Sequence, residues 1–120
     1  MAGRNYQDLQ VWQEAMARVD ATYRATRSLP REEMFGLTSQ IRRAAVSVSC
    51  NIAEGQGRRS QKEFVHHLSI AHGSLREVET LAMIALRQQY IEKAVHDDLL
   101  ARAALVGRLL NGLMNSLTPR

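Results

Sequence analysis

The sequence contains few of the residues that build turns, cross-links and aromatic platforms. Its 120 residues include two prolines, seven glycines and one cysteine, and only 5% of them are aromatic. So little turn-forming material predicts a few long secondary-structure elements. The single Cys50 excludes an internal disulfide. The scarcity of aromatic rings argues against a stacking platform for single-stranded nucleic acid.

Long apolar runs are also missing. No stretch approaches the roughly 20 apolar residues of a membrane span, and Met1–Asn5 lack the apolar segment of a signal peptide. We therefore expect a cytoplasmic protein without membrane contact. With 45% hydrophobic and 23% charged residues, the composition predicts one globular domain over residues 1–120.

The net charge is +4, and arginine supplies most of the positive charge. Residues 1–62 hold ten basic and six acidic residues, whereas residues 63–120 hold six of each. Fourteen of the sixteen basic residues are arginines. Because arginine pairs well with phosphate and carboxylate groups, the excess favours an anionic partner such as nucleic acid.

Four segments repeat apolar residues at intervals of three and four, the period of an amphipathic helix. These segments cover about residues 8–27, 37–55, 60–88 and 94–117. The first has its apolar stripe at Leu9, Trp12, Met16, Val19 and Tyr23. No strand pattern competes, and the connections are short. The sequence therefore predicts an all-α, antiparallel up-down-up-down four-helix bundle.

Polar and proline residues predict how these helices begin. Asp8 is expected to cap the first helix, and Pro30 to occupy the first position of a short helical turn. Ser60 and Glu63 have the spacing of a capping box at the start of the third helix.

Glycines predict where the second helix ends and where another backbone packs closely against a helix. Gly55 and Gly57 are expected to end it in the left-handed conformation. Gly73 lies inside the third helix, where glycine costs about 1 kcal/mol relative to alanine. That cost predicts a close approach of another backbone at Gly73.

The third and fourth helices carry more apolar residues than one stripe needs, which predicts self-association. The alternative is that wide apolar faces simply suit a small bundle. The additional residues are Leu81, Met83, Ile84, Leu86, Leu100, Leu105, Leu109 and Met114.

Two groups of polar residues are candidate binding sites. Arg43, Ser47, Asn51 and Glu54 lie near one face of the second helix. We interpret this group as a polar seam between helices, joined by Glu77 or Gln40. The alternative is an arginine presented to phosphate, which the Glu54 carboxylate would oppose.

The second group, Arg58, Arg59 and Lys62, surrounds the turn before the third helix. A helix N-terminus favours an anion, and three cations strengthen that preference. The alternative is a solvated basic turn. Together with Arg42 and Arg43, these three residues are our candidates for nucleic-acid or anion binding.

No residue pattern points to catalysis, so we expect no enzyme, no cofactor and no metal. Glu63 and His66 have the Glu-x-x-His spacing of a di-iron half-site, but a second copy is missing. Cys50 lies mid-helix, and we expect it to be a small buried hydrophobe. No Gly-x-Ser-x-Gly motif is present.

Four sequence blocks resemble a known bacterial family. The blocks are Asp8-Leu-Gln-Val-Trp12, Gly36-Leu-Thr-Ser-Gln-Ile-Arg-Arg-Ala-Ala45, Asn51-Ile-Ala-Glu-Gly55 and Ala71-His-Gly-Ser-Leu-Arg-Glu77. In order and spacing they are similar to the four-helix-bundle proteins first noticed as products of intervening sequences within large-subunit ribosomal RNA genes. A more distant resemblance is to the accessory variability protein of diversity-generating retroelements.

The resemblance covers about Asp8 to Leu117 and implies a ring-shaped homopentamer without known enzymatic activity. For the retroelement protein it implies binding of nucleic acid and of a reverse transcriptase through a basic surface. Our leading hypothesis is a non-enzymatic oligomeric module that binds RNA or a nucleoprotein partner. The alternative is a protein-interaction scaffold that does not bind nucleic acid.

Overall fold

The structure is a computed structural model that describes residues 5–118. These residues form four α-helices and two 3-10 turns, with no strand among them. The helices are α1 (Gln10–Thr26), α2 (Leu37–Gln56), α3 (Gln61–Arg87) and α4 (Lys93–Leu117), and the 3-10 turns are Tyr6–Asp8 and Arg31–Glu33. Each helix contacts the next, and α1 also contacts α4, which closes the bundle. The prediction of an all-α, four-helix protein is confirmed.

Apolar side chains from all four helices form the centre of the bundle. The predicted stripes of α2, α3 and α4 supply most of it, including Ile41, Val48, Leu68, Leu75 and Leu110. Within residues 5–118 no helix is both long and apolar enough to span a membrane.

The predicted stripe of α1 was wrong by one position. Buried residues of this helix are Val11, Ala15, Arg18, Ala21, Thr22 and Thr26, whereas Met16 and Tyr23 are exposed. A shift of one residue turns a helix by about 100°. Small alanine and threonine side chains let α1 approach the centre, and the large apolar side chains lie to one side.

Two of the three predicted helix starts were wrong. Asp8 ends a 3-10 turn, and α1 begins after Leu9 without a side-chain cap. Pro30 precedes the turn Arg31–Glu33 instead of occupying its first position. The Ser60 hydroxyl accepts a hydrogen bond of 3.1 Å from the Glu63 amide, as the capping box requires.

Gly57 ends α2 as predicted, but the left-handed conformation predicted for Gly55 and Gly57 was wrong. Gly55 is buried inside α2, and Gly57 follows the helix with a right-handed φ of −80°. Gly55 instead permits close packing, because a Cβ there would lie 2.7 Å from the His67 Cβ. Gly73 is exposed, and no described atom lies within 4 Å of where its Cβ would be.

The bundle absorbs most of the additional apolar residues. Leu81 is buried, and the half-buried members of the set are Leu86, Leu100, Leu105, Leu109 and Met114. Met83 and Ile84 remain exposed on α3, together with Ile70. The apolar surface available for self-association is therefore smaller than the sequence indicates.

Candidate nucleic-acid interface

A row of hydrogen-bonded polar side chains joins α2 to α3. The Ser47 and Ser74 hydroxyl oxygens lie 3.0 Å apart. Asn51 donates from Nδ2 to the Ser47 carbonyl at 2.9 Å and to the Ser47 hydroxyl at 3.1 Å. Asn51 Oδ1 lies 3.1 Å from His67 Nδ1. We call these four residues the α2–α3 polar network.

The network determines which ring nitrogen of His67 donates a hydrogen bond to Asn51. A carbonyl oxygen only accepts hydrogen bonds, so the amide nitrogen of Asn51 must face the Ser47 carbonyl. Asn51 Oδ1 therefore faces His67, which donates from Nδ1.

The polar seam predicted from the sequence is correct for Ser47 and Asn51. Arg43 and Glu54 are exposed and make no hydrogen bond within the network. The members that sequence reasoning missed are His67 and Ser74. Their separation of seven residues, two helical turns, places both on one face of α3 and was the available signal.

Arg42 is held against α1 by three contacts. Its Nε donates to the Thr26 hydroxyl at 2.8 Å, and Nη2 lies 3.5 Å from the Tyr23 carbonyl. Its guanidinium also lies over the Tyr23 ring, 4.6 Å from the centroid. Arg42 thus connects α1 to α2 and has fewer donors for a ligand than its neighbour Arg43.

Arg43 is exposed and forms no ion pair with a described residue. It lines a groove of about 350 Å³ between α2 and α3, whose floor holds the Ser47–Ser74 contact. Phe35, Gln40 and Glu77 line the same groove. A cation and several hydrogen-bonding groups therefore share one open surface.

Arg58, Arg59 and Lys62 lie together where α2 turns into α3. All three are exposed, and none pairs with an acidic side chain of residues 5–118. Arg43 lies thirteen residues before the end of α2 at Gln56, about 20 Å along the helix. The five predicted cations therefore fall into two groups. Arg42 and Arg43 lie in the first half of α2, with Arg42 held against α1, and Arg58, Arg59 and Lys62 lie where α2 turns into α3.

The residues considered for catalysis and metal binding, Cys50, Glu63 and His66, are all exposed. Cys50 is exposed, so its prediction as a buried hydrophobe was wrong. Glu63 and His66 are exposed in the first turns of α3. No three metal-ligating side chains come together in the described part of the chain.

The fold places the chain among all-α proteins built from four helices. It is similar to the crystal structure of a protein of unknown function from the S23 ribosomal protein family of Bacteroides thetaiotaomicron VPI-5482, with a TM-score of 0.81 and 22% identity. The likeness covers 88% of this chain and 95% of that chain, and at this identity it shows the fold alone. Comparison with curated proteins finds no match.

Residues 7–112 match the 23S rRNA-intervening sequence protein family, and the chain belongs to that family. The resemblance seen in the four sequence blocks is thereby confirmed. The more distant resemblance to the retroelement protein stays a prediction.

Proposed function

We propose that this protein is a non-enzymatic, cytoplasmic helical module that binds RNA through its exposed basic side chains. The observation that carries the proposal is the exposed cluster of Arg58, Arg59 and Lys62, none of which forms an ion pair with a described acidic side chain. The amides at the start of α3 add positive potential at the same turn. Arg43 provides a fourth exposed cation, in the groove between α2 and α3.

RNA is the favoured nucleic acid because the family is named after an intervening sequence of 23S rRNA. Contacts from arginine and lysine to phosphate position a protein without reading sequence. Binding should therefore show little sequence preference and should weaken steeply as salt rises.

A triple variant tests the basic turn: Arg58→Gln, Arg59→Gln and Lys62→Gln together. Anisotropy of a labelled RNA hairpin, measured between about 50 and 200 mM salt, should show weaker binding. The negative slope of log affinity against log salt should become shallower by roughly two to three, since each lost phosphate contact removes about 0.7–0.9 from its magnitude.

The matched control removes three exposed cations elsewhere, Arg27→Gln, Arg87→Gln and Arg108→Gln. It changes the net charge equally, so it should reduce the slope much less. Equal losses in the two triple variants would show that only net charge matters. Absence of wild-type binding at low salt would contradict the proposal.

We also propose that the module is a homo-oligomer, a ring of five copies as the family resemblance implies. Ile70, Met83 and Ile84 support self-association, because 40–46% of each is exposed on α3. Light scattering should give a mass several times that of the chain. Met83→Glu with Ile84→Glu should lower that mass, whereas Ala101→Glu on the exposed side of α4 should not.

The second candidate function is a protein-interaction scaffold without nucleic-acid binding. The exposed apolar residues of α3 favour it, since they offer a protein contact that needs no phosphate. A partner that co-purifies and survives nuclease treatment would support the scaffold. Loss of every partner after nuclease would support RNA binding.

A further inference from the structure

Phe35 is the most exposed large apolar side chain of the described chain, with 92% of its surface open to solvent. Burying such a side chain is ordinarily favourable by about 1.5–3 kcal/mol, so a ligand that covers the Phe35 ring gains free energy. Phe35 also borders two depressions. One is the 350 Å³ groove toward α3, and the other, of about 420 Å³, faces Tyr23 and Val46.

The corner that presents Phe35 is anchored on both sides. Glu33 Oε1 accepts a hydrogen bond of 3.1 Å from the Leu37 amide at the start of α2. Glu33 Oε2 accepts one of 3.0 Å from the Tyr90 hydroxyl, which follows α3. The backbone corner that carries Phe35 is therefore anchored to α2 and to the segment after α3.

The groups around the ring differ from those of a purely apolar docking site. Arg43 lines both depressions and is free of ion pairs with described residues. Ser39, Gln40 and Glu77 line the groove toward α3. An aromatic face, hydrogen-bonding groups and a cation thus lie side by side.

We propose that Phe35 and Arg43 form a binding site for one unpaired nucleotide of RNA, an inference that rests on the proposed function. The base stacks on the Phe35 ring, and the phosphate pairs with the Arg43 guanidinium. Gln40 and Glu77 face the base edge, and the Glu77 carboxylate accepts from an exocyclic amino group such as that of cytosine. Glu77 also repels phosphate, which directs the backbone toward Arg43.

This site selects unpaired RNA. In a duplex the base faces are covered by their neighbours, so they cannot stack on Phe35. A low aromatic content excludes a platform of several rings, as the sequence indicates, but a single ring serves a single base. The basic turn at Arg58, Arg59 and Lys62 remains available for phosphates of either form.

The test compares Phe35→Ala with Met16→Ala, an exposed apolar side chain of α1 that lines neither depression. The probes are a labelled, unstructured RNA of about 12 nucleotides, rich in cytosine and uracil, and a blunt RNA duplex of equal length. Phe35→Ala should weaken single-strand binding roughly 5- to 150-fold, the range for one stacked base. It should leave duplex binding within about twofold, while Met16→Ala changes neither.

Two further variants sharpen the result. Phe35→Trp should keep single-strand binding, because it keeps an aromatic face. Arg43→Gln should make the salt dependence of single-strand binding shallower, by about one in the slope of log affinity against log salt. The inference is overturned if Phe35→Ala binds the single strand as wild type does. It is also overturned if that variant lowers the assembly mass in light scattering, which would assign Phe35 to a contact between copies. Wild-type protein that binds neither RNA would overturn the proposed function itself.

Discussion

At the scale of single residues, Arg18 is the most unusual side chain of the bundle. It is completely buried, and only its Nη2 has a hydrogen-bond partner among the described residues, the Ala45 carbonyl at 3.3 Å. Burial lowers the pKa of Arg18 to about 10, against the attraction of Glu79. A buried charge with unpaired nitrogens opposes folding.

Replacing Arg18 by methionine should therefore leave stability unchanged or raise it. Exchanging a poorly compensated buried ion for an apolar side chain of similar volume is neutral or stabilising by about 1–4 kcal/mol. Urea unfolding measures the difference, and exposed Arg24→Met on the same helix should change stability by less than about 0.5 kcal/mol. A loss above about 1 kcal/mol in Arg18→Met would reveal a partner for Nε and Nη1, such as an internal water.

Cys50 offers a second prediction at this scale. Because Cys50 is exposed on α2, a thiol reagent such as dithiobis(nitrobenzoate) should modify its thiol in the folded chain. The reaction should proceed nearly as fast without denaturant as in urea. Slow modification that accelerates in the Met83→Glu, Ile84→Glu variant would place Cys50 beneath another copy.

At the scale of elements, the contact between α2 and α3 depends on Gly55. A Cβ at this position would lie 2.7 Å from the His67 Cβ and 2.9 Å from the Phe64 Cδ1. Both neighbours belong to α3, and His67 is held by Asn51. An alanine here requires the two helices to move apart and disturbs the polar network between them.

Gly55→Ala should destabilise the protein, even though alanine favours a helix by about 1 kcal/mol over glycine. Overpacking typically costs 1–3 kcal/mol, and the short contacts place this site toward the upper part of that range. Gly73→Ala is the matched control, because no described atom lies within 4 Å of where a Cβ at Gly73 would be. It should stabilise by about 0.5–1 kcal/mol, measured by thermal or urea unfolding.

If Gly73→Ala instead lowers the mass seen by light scattering, the close approach predicted at Gly73 occurs between copies. Equal effects of the two alanine substitutions on stability would contradict the packing role of Gly55.

At the scale of the whole molecule, two polar contacts tie distant parts of the chain at one end of the bundle. Tyr90 donates to Glu33 across 57 positions of sequence, and Ser28 donates to the Tyr90 carbonyl at 2.9 Å. The hydrogen bond to Glu33, burial and nearby carboxylates raise the pKa of Tyr90. Folding therefore favours the protonated phenol.

The hydrogen bond from Tyr90 to Glu33 predicts a loss of stability at alkaline pH. Above pH 10, the ordinary pKa of tyrosine, the folded state holds more protons at Tyr90 than the unfolded state, so stability falls as pH rises. Arg18 acts in the opposite direction above its lowered pKa of about 10, because there the unfolded state holds more protons at Arg18 than the folded state does.

Wild-type protein should therefore be more stable than Tyr90→Phe at pH 7, and the difference should shrink as pH rises through 10 and above. Unfolding midpoints of the two proteins, measured from pH 7 to above pH 10, give this difference in stability. Tyr6→Phe is the control for loss of a hydroxyl. A difference that stays constant with pH would contradict the link between Tyr90 and Glu33.

The sequence by itself determined the four helices and the apolar faces of α2, α3 and α4. Their periodicity is a local property: regularly spaced large apolar residues must lie on one side of a helix. The Ser60 cap is local for the same reason, because its partner lies three residues away. The basic residues at the α2–α3 turn were likewise evident from their spacing.

Only the tertiary structure decided which face of α1 points inward, where Gly55 is needed and which arginine remains free. Each of these depends on the distance between helices, which no single helix specifies. Small side chains allow α1 to approach through Ala15 and Thr22, and Met16 is left outside. The same geometry holds Arg42 against Tyr23 and leaves Arg43 beside Phe35, so adjacent arginines of one motif have different surroundings.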